Sequence, residues 1–288
     1  MFEAAPAEVD ALPADVRARI RLESETLAEA AHRHRDCTLA IVELGSSVGP
    51  VELDQLPDLR AVLSRTTGLD HVDLAECEAR GIAVETVAGY CTVAVTEFAL
   101  TLIFHLARGR QIADGLAGGL GDEIAGRTVG VLGGGRIGLG VAAGLRGMGC
   151  RVLVYDQRPV EGYEQVGLSE LLAESSVISL HLPGEAGQVL GREELRSLSP
   201  GSFLVNTARA SLVDHDALLE AIADGHVARA ALDVGPWETE PTWLDRPDVV
   251  RLRSSGHLVV TDHLAWATEE AFARYIQIVV NAVRTWSE

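Results

Sequence analysis

The sequence contains no lysine: all 24 of its basic residues are arginine. A chain without a lysine amine forms no pyridoxal Schiff base and carries no Walker A loop. It also holds no Ser-x-x-Lys acylase centre and no Tyr-x-x-x-Lys dehydrogenase pair. Cysteine is nearly as scarce. Cys37, Cys77, Cys91 and Cys150 show no C-x-x-C spacing and no histidine at a zinc ligand's distance, so they read as reduced thiols, and no metal site is expected. His32 and His34 belong to a charged run, His32-Arg33-His34-Arg35-Asp36, of the kind that ends a solvated helix. No apolar run is expected to reach the roughly 18 residues of a membrane span, and the first residues do not read as a signal peptide. The expectation is a cytoplasmic protein with no membrane partner. Positive charge is in deficit as well, since the net charge is -18, which argues against nucleic acid as a partner.

What the chain does have is ordinary globular material: 288 residues, 47% hydrophobic and 23% charged, enough for one large domain or two medium ones. Residues Glu8–Ala31 read as helix, possible strand (Val16–Leu22), then helix. Thr38–Leu44 and Ala61–Ser64 read as strands, and Asp70–Arg80 as a helix ending at Gly81. A strand follows at Ile82–Val87. The pattern Val93, Phe98, Leu100, Leu102, Ile103, Leu106 predicts a mostly buried helix over Thr92–Arg108. The glycine-rich stretch Gly109–Gly126 is a candidate linker. Beyond Arg127, apolar strands alternate with helices: Thr128–Leu132, Arg151–Tyr155, Val177–Leu182, Ser202–Asn206, Arg229–Asp233 and Leu258–Thr261. Runs apolar enough to be buried on both faces argue an α/β fold with a parallel sheet.

The first of those strands runs into Gly133-Gly134-Gly135-Arg136-Ile137-Gly138, a G-x-G-x-x-G turn opening a helix. Gly133 suits the tight turn, Gly135 the close approach of backbone to a pyrophosphate, and Gly138 the packing of helix on strand. The helix N-terminus favours the anion. Asp156 closes the next strand about 20 residues on, where a carboxylate accepts from a ribose 2′-hydroxyl and repels a 2′-phosphate. NAD(H) is therefore favoured over NADP(H), although Arg158 lies two residues further along. Three polar segments then follow predicted strands: Asn206-Thr207-Ala208-Arg209, Ala231-Leu232-Asp233-Val234 and Thr261-Asp262-His263. An arginine suits a bidentate grip on a carboxylate, and an imidazole serves as acid or base near neutral pH. Together, after the dinucleotide turn, they describe hydride transfer to a 2-oxo acid.

From about Leu59 to Ala273 the chain resembles the D-2-hydroxyacid dehydrogenases, a group that includes the C-terminal-binding-protein corepressors. The resemblance rests on Thr67-Gly68-Leu69-Asp70-His71-Val72-Asp73-Leu74, Arg80-Gly81-Ile82-Ala83-Val84, Val87-Ala88-Gly89-Tyr90, the glycine turn through Asp156, Ser179-Leu180-His181-Leu182-Pro183, Asn206-Thr207-Ala208-Arg209 and Ala231-Leu232-Asp233-Val234. It implies two doubly wound parallel-sheet domains. A Rossmann domain (97–266) is inserted into a smaller flavodoxin-like substrate domain (1–96 with 267–288). Met1-Phe2-Glu3 resembles only the end of the family's first strand. The resemblance further implies that Arg209 holds the substrate carboxylate and that His263 is the acid/base. Glu238, or Glu240 two residues later, would orient His263. Arg136, Ile137, His181, Pro183 and Thr207 would lie along the cofactor, and Asp233 would contact the nicotinamide amide. Thr67 and Gly68 would offer backbone N–H groups to the substrate, and Trp266 would lie beside it. Ala210 stands where the family usually has glycine, Asp262 where it usually has proline, and Gly184-Glu185-Ala186-Gly187 where it has a threonine-bearing loop. A homodimer is expected. The alternative function is an NADH-sensing, corepressor-like binding protein with little turnover.

Overall fold

In chain order the elements are α1 (Pro6–Ala11), α2 (Ala14–Arg17), α3 (Leu27–Ala30), β1 (Leu39–Val42), α4 (Pro50–Leu53), β2 (Ala61–Ser64), α5 (Leu74–Ala79) and β3 (Ala83–Thr86). There follow α6 (Thr92–Asp114), β4 (Thr128–Leu132), α7 (Arg136–Gly147), β5 (Arg151–Tyr155), β6 (Glu164–Gln165), α8 (Leu168–Glu174) and β7 (Val177–Leu180). The last elements are α9 (Arg192–Ser197), β8 (Ser202–Asn206), α10 (His215–Ala223), β9 (Val227–Asp233), α11 (Pro247–Ser254), β10 (Leu258–Thr261) and α12 (Glu269–Trp286). The computed structural model describes residues 1–114, 119–234 and 242–286. The chain divides into two units, Met1–Cys91 with Thr268–Glu288, and Thr92–Ala267.

In the first unit three parallel strands lie in the order β1-β2-β3. Strand alternation sends Ala40, Val42 and Val62 to one face, under α3, α4 and α5, and Ile41 and Leu63 to the other, under α2 and α12. No strand forms at Val16–Leu22. Pro13 caps α2 instead, and the next N–H groups bond locally, Ala18 to Ala14 O and Arg19 to Val16 O, so Val16 is fully buried and Ile20 packs only partly buried against the same core. Met1–Ala4 is not a strand of the sheet. Phe2 N donates to Ile41 O at 2.9 Å, while Glu3 N and Ala4 N donate to Glu25 O and Glu23 O, so this segment lies between β1 and residues 23–25. Arg65, just beyond β2 and 5% exposed, fastens it. Its guanidinium pairs with Glu8 and, at 3.3 Å, with Glu43, and donates to Glu3 O at 2.9 Å. The Tyr275 hydroxyl donates to Glu8 at 2.7 Å and so ties in α12. Burial pushes the Glu43 carboxyl upward against the pull of Arg65.

The second unit is a seven-stranded parallel sheet in the order β10-β9-β8-β7-β4-β5-β6. One face, with Leu132, Leu153, Ile178, Leu204 and Leu232, packs under α8 to α11. The other, with Val129, Val131, Val154, Phe203 and Val205, packs under α6 and α7. Contrary to the expectation of no long apolar run, Thr92–Gly109 within α6 is long and apolar enough to cross a membrane. Its Ala99, Leu102, Ile103 and Leu106 are core residues of this unit. Val93, expected inside, is 57% exposed. The candidate linker is not one throughout: α6 continues to Asp114, and Asp122 is pinned by Arg127 at 2.8 Å and Arg229 at 2.9 Å, both guanidinium groups lying 5.3 Å from the Phe203 ring centre.

Candidate active site

Strand order reverses between β4 and β7, and in open α/β sheets the crevice at such a switch point, beyond the carboxyl ends of the strands, takes the ligand. The turn that leaves β4 there is shaped by its glycines. Gly133 has φ +105°, and a methyl group on it would meet the His181 carbonyl oxygen at 2.5 Å. A methyl on Gly138 would meet Gly133 O at 1.9 Å. Gly135 differs, because a methyl there would meet nothing within 4 Å. Two glycines are thus demanded by the chain's own backbone, and the third leaves room for something that is not protein. Arg136 and Ile137 open α7 beside it, with Arg136 exposed.

Asp156 follows β5, with its side chain 12% exposed. It accepts from Gly134 N and from Arg158 N, each at 2.8 Å. Burial works against its charge, but these two N–H donors and the Arg158 guanidinium hold its carboxyl below the usual range. On the far side of the turn, His181 N donates to Leu132 O at 2.7 Å and the His181 ring shares a hydrogen bond with Ser179 Oγ at 2.8 Å. Desolvation pushes His181 down to about 4, so the ring is neutral. Pro183 opens a single helical turn, Gly184–Ala186.

Three successive strands, β8, β9 and β10, end at the same edge and carry the polar segments. Asn206, the last residue of β8, is fully buried. Its amide oxygen accepts from Ala208 N at 2.9 Å and its amide nitrogen donates to Arg209 O at 2.7 Å, so one side chain fixes the loop that presents Arg209. The Thr207 hydroxyl in that loop is buried without a partner. Asp233, the last residue of β9, is 1% exposed and accepts from Thr261 Oγ1, Leu264 N and Ala265 N. His263 stands in the span so held, with φ +54°. Trp266 is half-buried in the turn after it. Thr67 and Gly68 belong to the first unit, on the loop after β2, where Ser64 Oγ and Thr66 Oγ1 bond at 2.8 Å and Thr66 Oγ1 donates to Gly68 O at 2.6 Å. Glu238 and Glu240 lie outside the described residues, as does the rest of 235–241. Among the described residues no group of histidine, cysteine and carboxylate side chains is placed to hold a metal ion. The sequence alone assigns no role to Thr261 or Asn206, although each is a polar residue closing an apolar strand.

These residues fit a dinucleotide. The open space at Gly135, the unpartnered Thr207 hydroxyl and the charged Asp156 lie along the carboxyl edge of one sheet, and α7 points its free N–H groups at the same place. The sequence pattern of the D-isomer specific 2-hydroxyacid dehydrogenase NAD binding domain matches residues 105–265. A glyoxylate reductase of Korarchaeum cryptofilum is 34% identical over 86% of this chain and 79% of its own. A glycerate dehydrogenase of Methylorubrum extorquens is 34% identical over 76% and 73%. In three dimensions a D-lactate dehydrogenase from Aquifex aeolicus, solved with NAD and lactic acid, superposes with a TM-score of 0.87 at 26% identity, covering 99% of this chain and 93% of that one. The chain belongs to the D-isomer specific 2-hydroxyacid dehydrogenase family. It is an NAD-dependent oxidoreductase, and its relatives' activities favour turnover over the NADH-sensing alternative.

Proposed function

We propose that the protein reduces a small 2-oxo acid to its D-2-hydroxy acid, or runs the reverse reaction, with Arg209 and His263 as the working side chains. The observation that carries this reading is their common address. Arg209 follows β8 and His263 follows β10, the two strands that flank β9 in the sheet that forms the dinucleotide turn, and each lies on a loop bonded by a buried polar residue. NADH, when bound, supplies the hydride. Arg209 grips the substrate carboxylate and polarises the 2-oxo group. His263 gives its proton to the carbonyl oxygen as C2 accepts the hydride pair, and takes it back in the reverse direction. Glu238 or Glu240 orients His263, Thr67 and Gly68 offer N–H groups to the carboxylate, and Trp266 borders the side-chain pocket, favouring a bulky or apolar substituent. Asp156 underlies the choice of NAD(H) over NADP(H). The homodimer expected from the resemblance belongs to this reading and is tested by light scattering.

The test is oxidation of NADH and of NADPH, followed at 340 nm as a nicotinamide absorbance, against 2-oxo acids from glyoxylate to phenylpyruvate. Arg209→Ala and His263→Ala should each abolish turnover while leaving NADH binding intact. Tight NADH binding with no turnover on any oxo acid would return the choice to the sensing protein.

A further inference from the structure

The loop that follows β2 carries backbone donors that the first unit does not use. The N–H groups of Thr67, Gly68 and Leu69 meet no acceptor among the described residues. Successive open N–H groups in a turn make a concavity suited to an anion such as a carboxylate. Three side chains at the base of the loop govern their direction. Ser64 Oγ lies 2.8 Å from Thr66 Oγ1 and 3.2 Å from His71 Nε2, and it accepts from Thr66 N at 3.2 Å. Thr66 Oγ1 in turn donates to Gly68 O at 2.6 Å. Ser64 is fully buried and Thr66 nearly so.

Proton counting fixes the direction of each bond. A carbonyl only accepts, so the single hydroxyl proton of Thr66 goes to Gly68 O. Thr66 Oγ1 must then accept from Ser64, which uses the only proton that Ser64 has. The remaining bond therefore runs from a protonated His71 Nε2 to Ser64 Oγ. The result is a one-way relay, His71 to Ser64 to Thr66 to Gly68 O. It ties the two ends of the loop together. Ser64 belongs to β2, while Val48 N donates to His71 O and Val48 O accepts from Asp73 N, each at 2.8 Å. A planar trans peptide points its N–H away from its C=O, so a Gly68 carbonyl drawn toward buried Thr66 leaves the Leu69 N–H facing the other way.

We propose that Ser64, Thr66 and His71 are positioning residues: their relay pins the Gly68 carbonyl and so presents the N–H groups of the 67–69 turn to the carboxylate of the 2-oxo acid. The proposal rests on the reading that Thr67 and Gly68 receive that carboxylate. Each of the three acts through the backbone of the turn.

Thr66→Val keeps the shape and removes the hydroxyl, Thr66→Ser keeps the hydroxyl, and Ser64→Ala breaks the relay one bond earlier. For the oxo acid that turns over fastest in the panel above, KM should rise about tenfold in Thr66→Val, where a buried carbonyl loses its donor and the turn relaxes. In Ser64→Ala the rise should be about three- to tenfold, and in Thr66→Ser KM should stay within about twofold. Loss of carboxylate binding common to ground and transition states leaves kcat within about threefold. NADH affinity, from quenching of protein fluorescence, should stay within about twofold in all three variants. A lowered Tm with KM unmoved in both Thr66→Val and Ser64→Ala would overturn the proposal and leave the relay a structural feature only. The ring nitrogen shifts of His71, assigned by comparison with His71→Gln, test the relay in the unaltered protein, and they should show Nε2 protonated. A neutral ring with its proton on Nδ1 would overturn the relay whatever the kinetics. No turnover by the unaltered protein on any oxo acid would instead overturn the 2-oxo acid reading, and the His71 spectrum would still decide the relay.

Discussion

Replacing Gly135 and Gly138 one at a time by alanine separates the part of the glycine turn that serves the chain from the part that serves a ligand. At Gly138 the new methyl would lie 1.9 Å from Gly133 O, so α7 must move by more than 1 Å, and overpacking of this kind costs about 1–3 kcal/mol. For a domain of this size that lowers Tm by about 2–12 °C with no ligand present. At Gly135 the methyl meets no protein atom within 4 Å, and the residue's φ of -79° suits alanine, so Tm without ligand should hold within about 2 °C. With NADH the order reverses. At a concentration 100 times its Kd, NADH stabilises the native protein by about 2.7 kcal/mol, a Tm rise of about 5–10 °C. Losing one or two backbone N–H bonds to a charged phosphate costs about 1.5–3 kcal/mol each, or about 100-fold in Kd. The same NADH concentration then stabilises Gly135→Ala by only about 0.4 kcal/mol, a shift near 1 °C. Scanning fluorimetry with and without NADH reads all four numbers. A Gly135→Ala protein that keeps the full NADH shift would refute the assignment of this turn to the pyrophosphate.

Three further outcomes follow from interactions described above. Arg65→Met leaves Glu8 and Glu43 without their buried cation and should destabilise the first unit by about 3 kcal/mol, read from urea unfolding; a loss below about 1 kcal/mol would show the pair is not buried in solution. Asn206→Ala removes two bonds worth about 0.5–1.5 kcal/mol each and should lower kcat/KM for the oxo acid with NADH affinity unchanged, whereas equal losses in both would assign Asn206 to the cofactor. His181, with its pKa lowered by desolvation to about 4, stays neutral in the native protein while the unfolded chain takes up a proton below about 6.5. Its contribution to stability is therefore complete above pH 6.5 and lost as pH falls toward 4. His181→Asn should flatten that part of the stability curve, and an unchanged slope would contradict the desolvated ring.

The second unit was legible because its strands are apolar on both faces, a pattern that only a covered parallel sheet accommodates. Thr128–Leu132, Arg151–Tyr155 and Ser202–Asn206 fall where the sequence places them. What escaped has a physical signature. The edge strand Glu164–Gln165 is two exposed polar residues with no apolar period to detect. Pro247–Ser254 carries proline at its first position, but its Asp and Arg content masks the two residues it buries, Val249 and Leu252. Val16, Ala18, Ile20 and Leu22 alternate like a strand, yet the backbone bonds after Pro13 close local turns. The bonds that shape the site were the least legible. Asp233 takes its partners 28 to 32 positions later, two of them backbone N–H groups that any sequence possesses. Arg65 finds Glu8 57 positions away through a segment whose path no periodicity marks.

The three bonds to Asp233 also divide labour between scaffold and surface. A proline at position 262 would stiffen the bend at His263 from within the loop by fixing its own φ. Here Asp262 is exposed and imposes no such restriction, while the bend is dictated from an adjoining strand, by a side chain that the loop's own sequence does not encode. A loop governed from outside is free to change its exposed residues without losing its course. The positions around His263 can then be altered by selection or by design, and the pocket retuned, while the imidazole keeps its bearing.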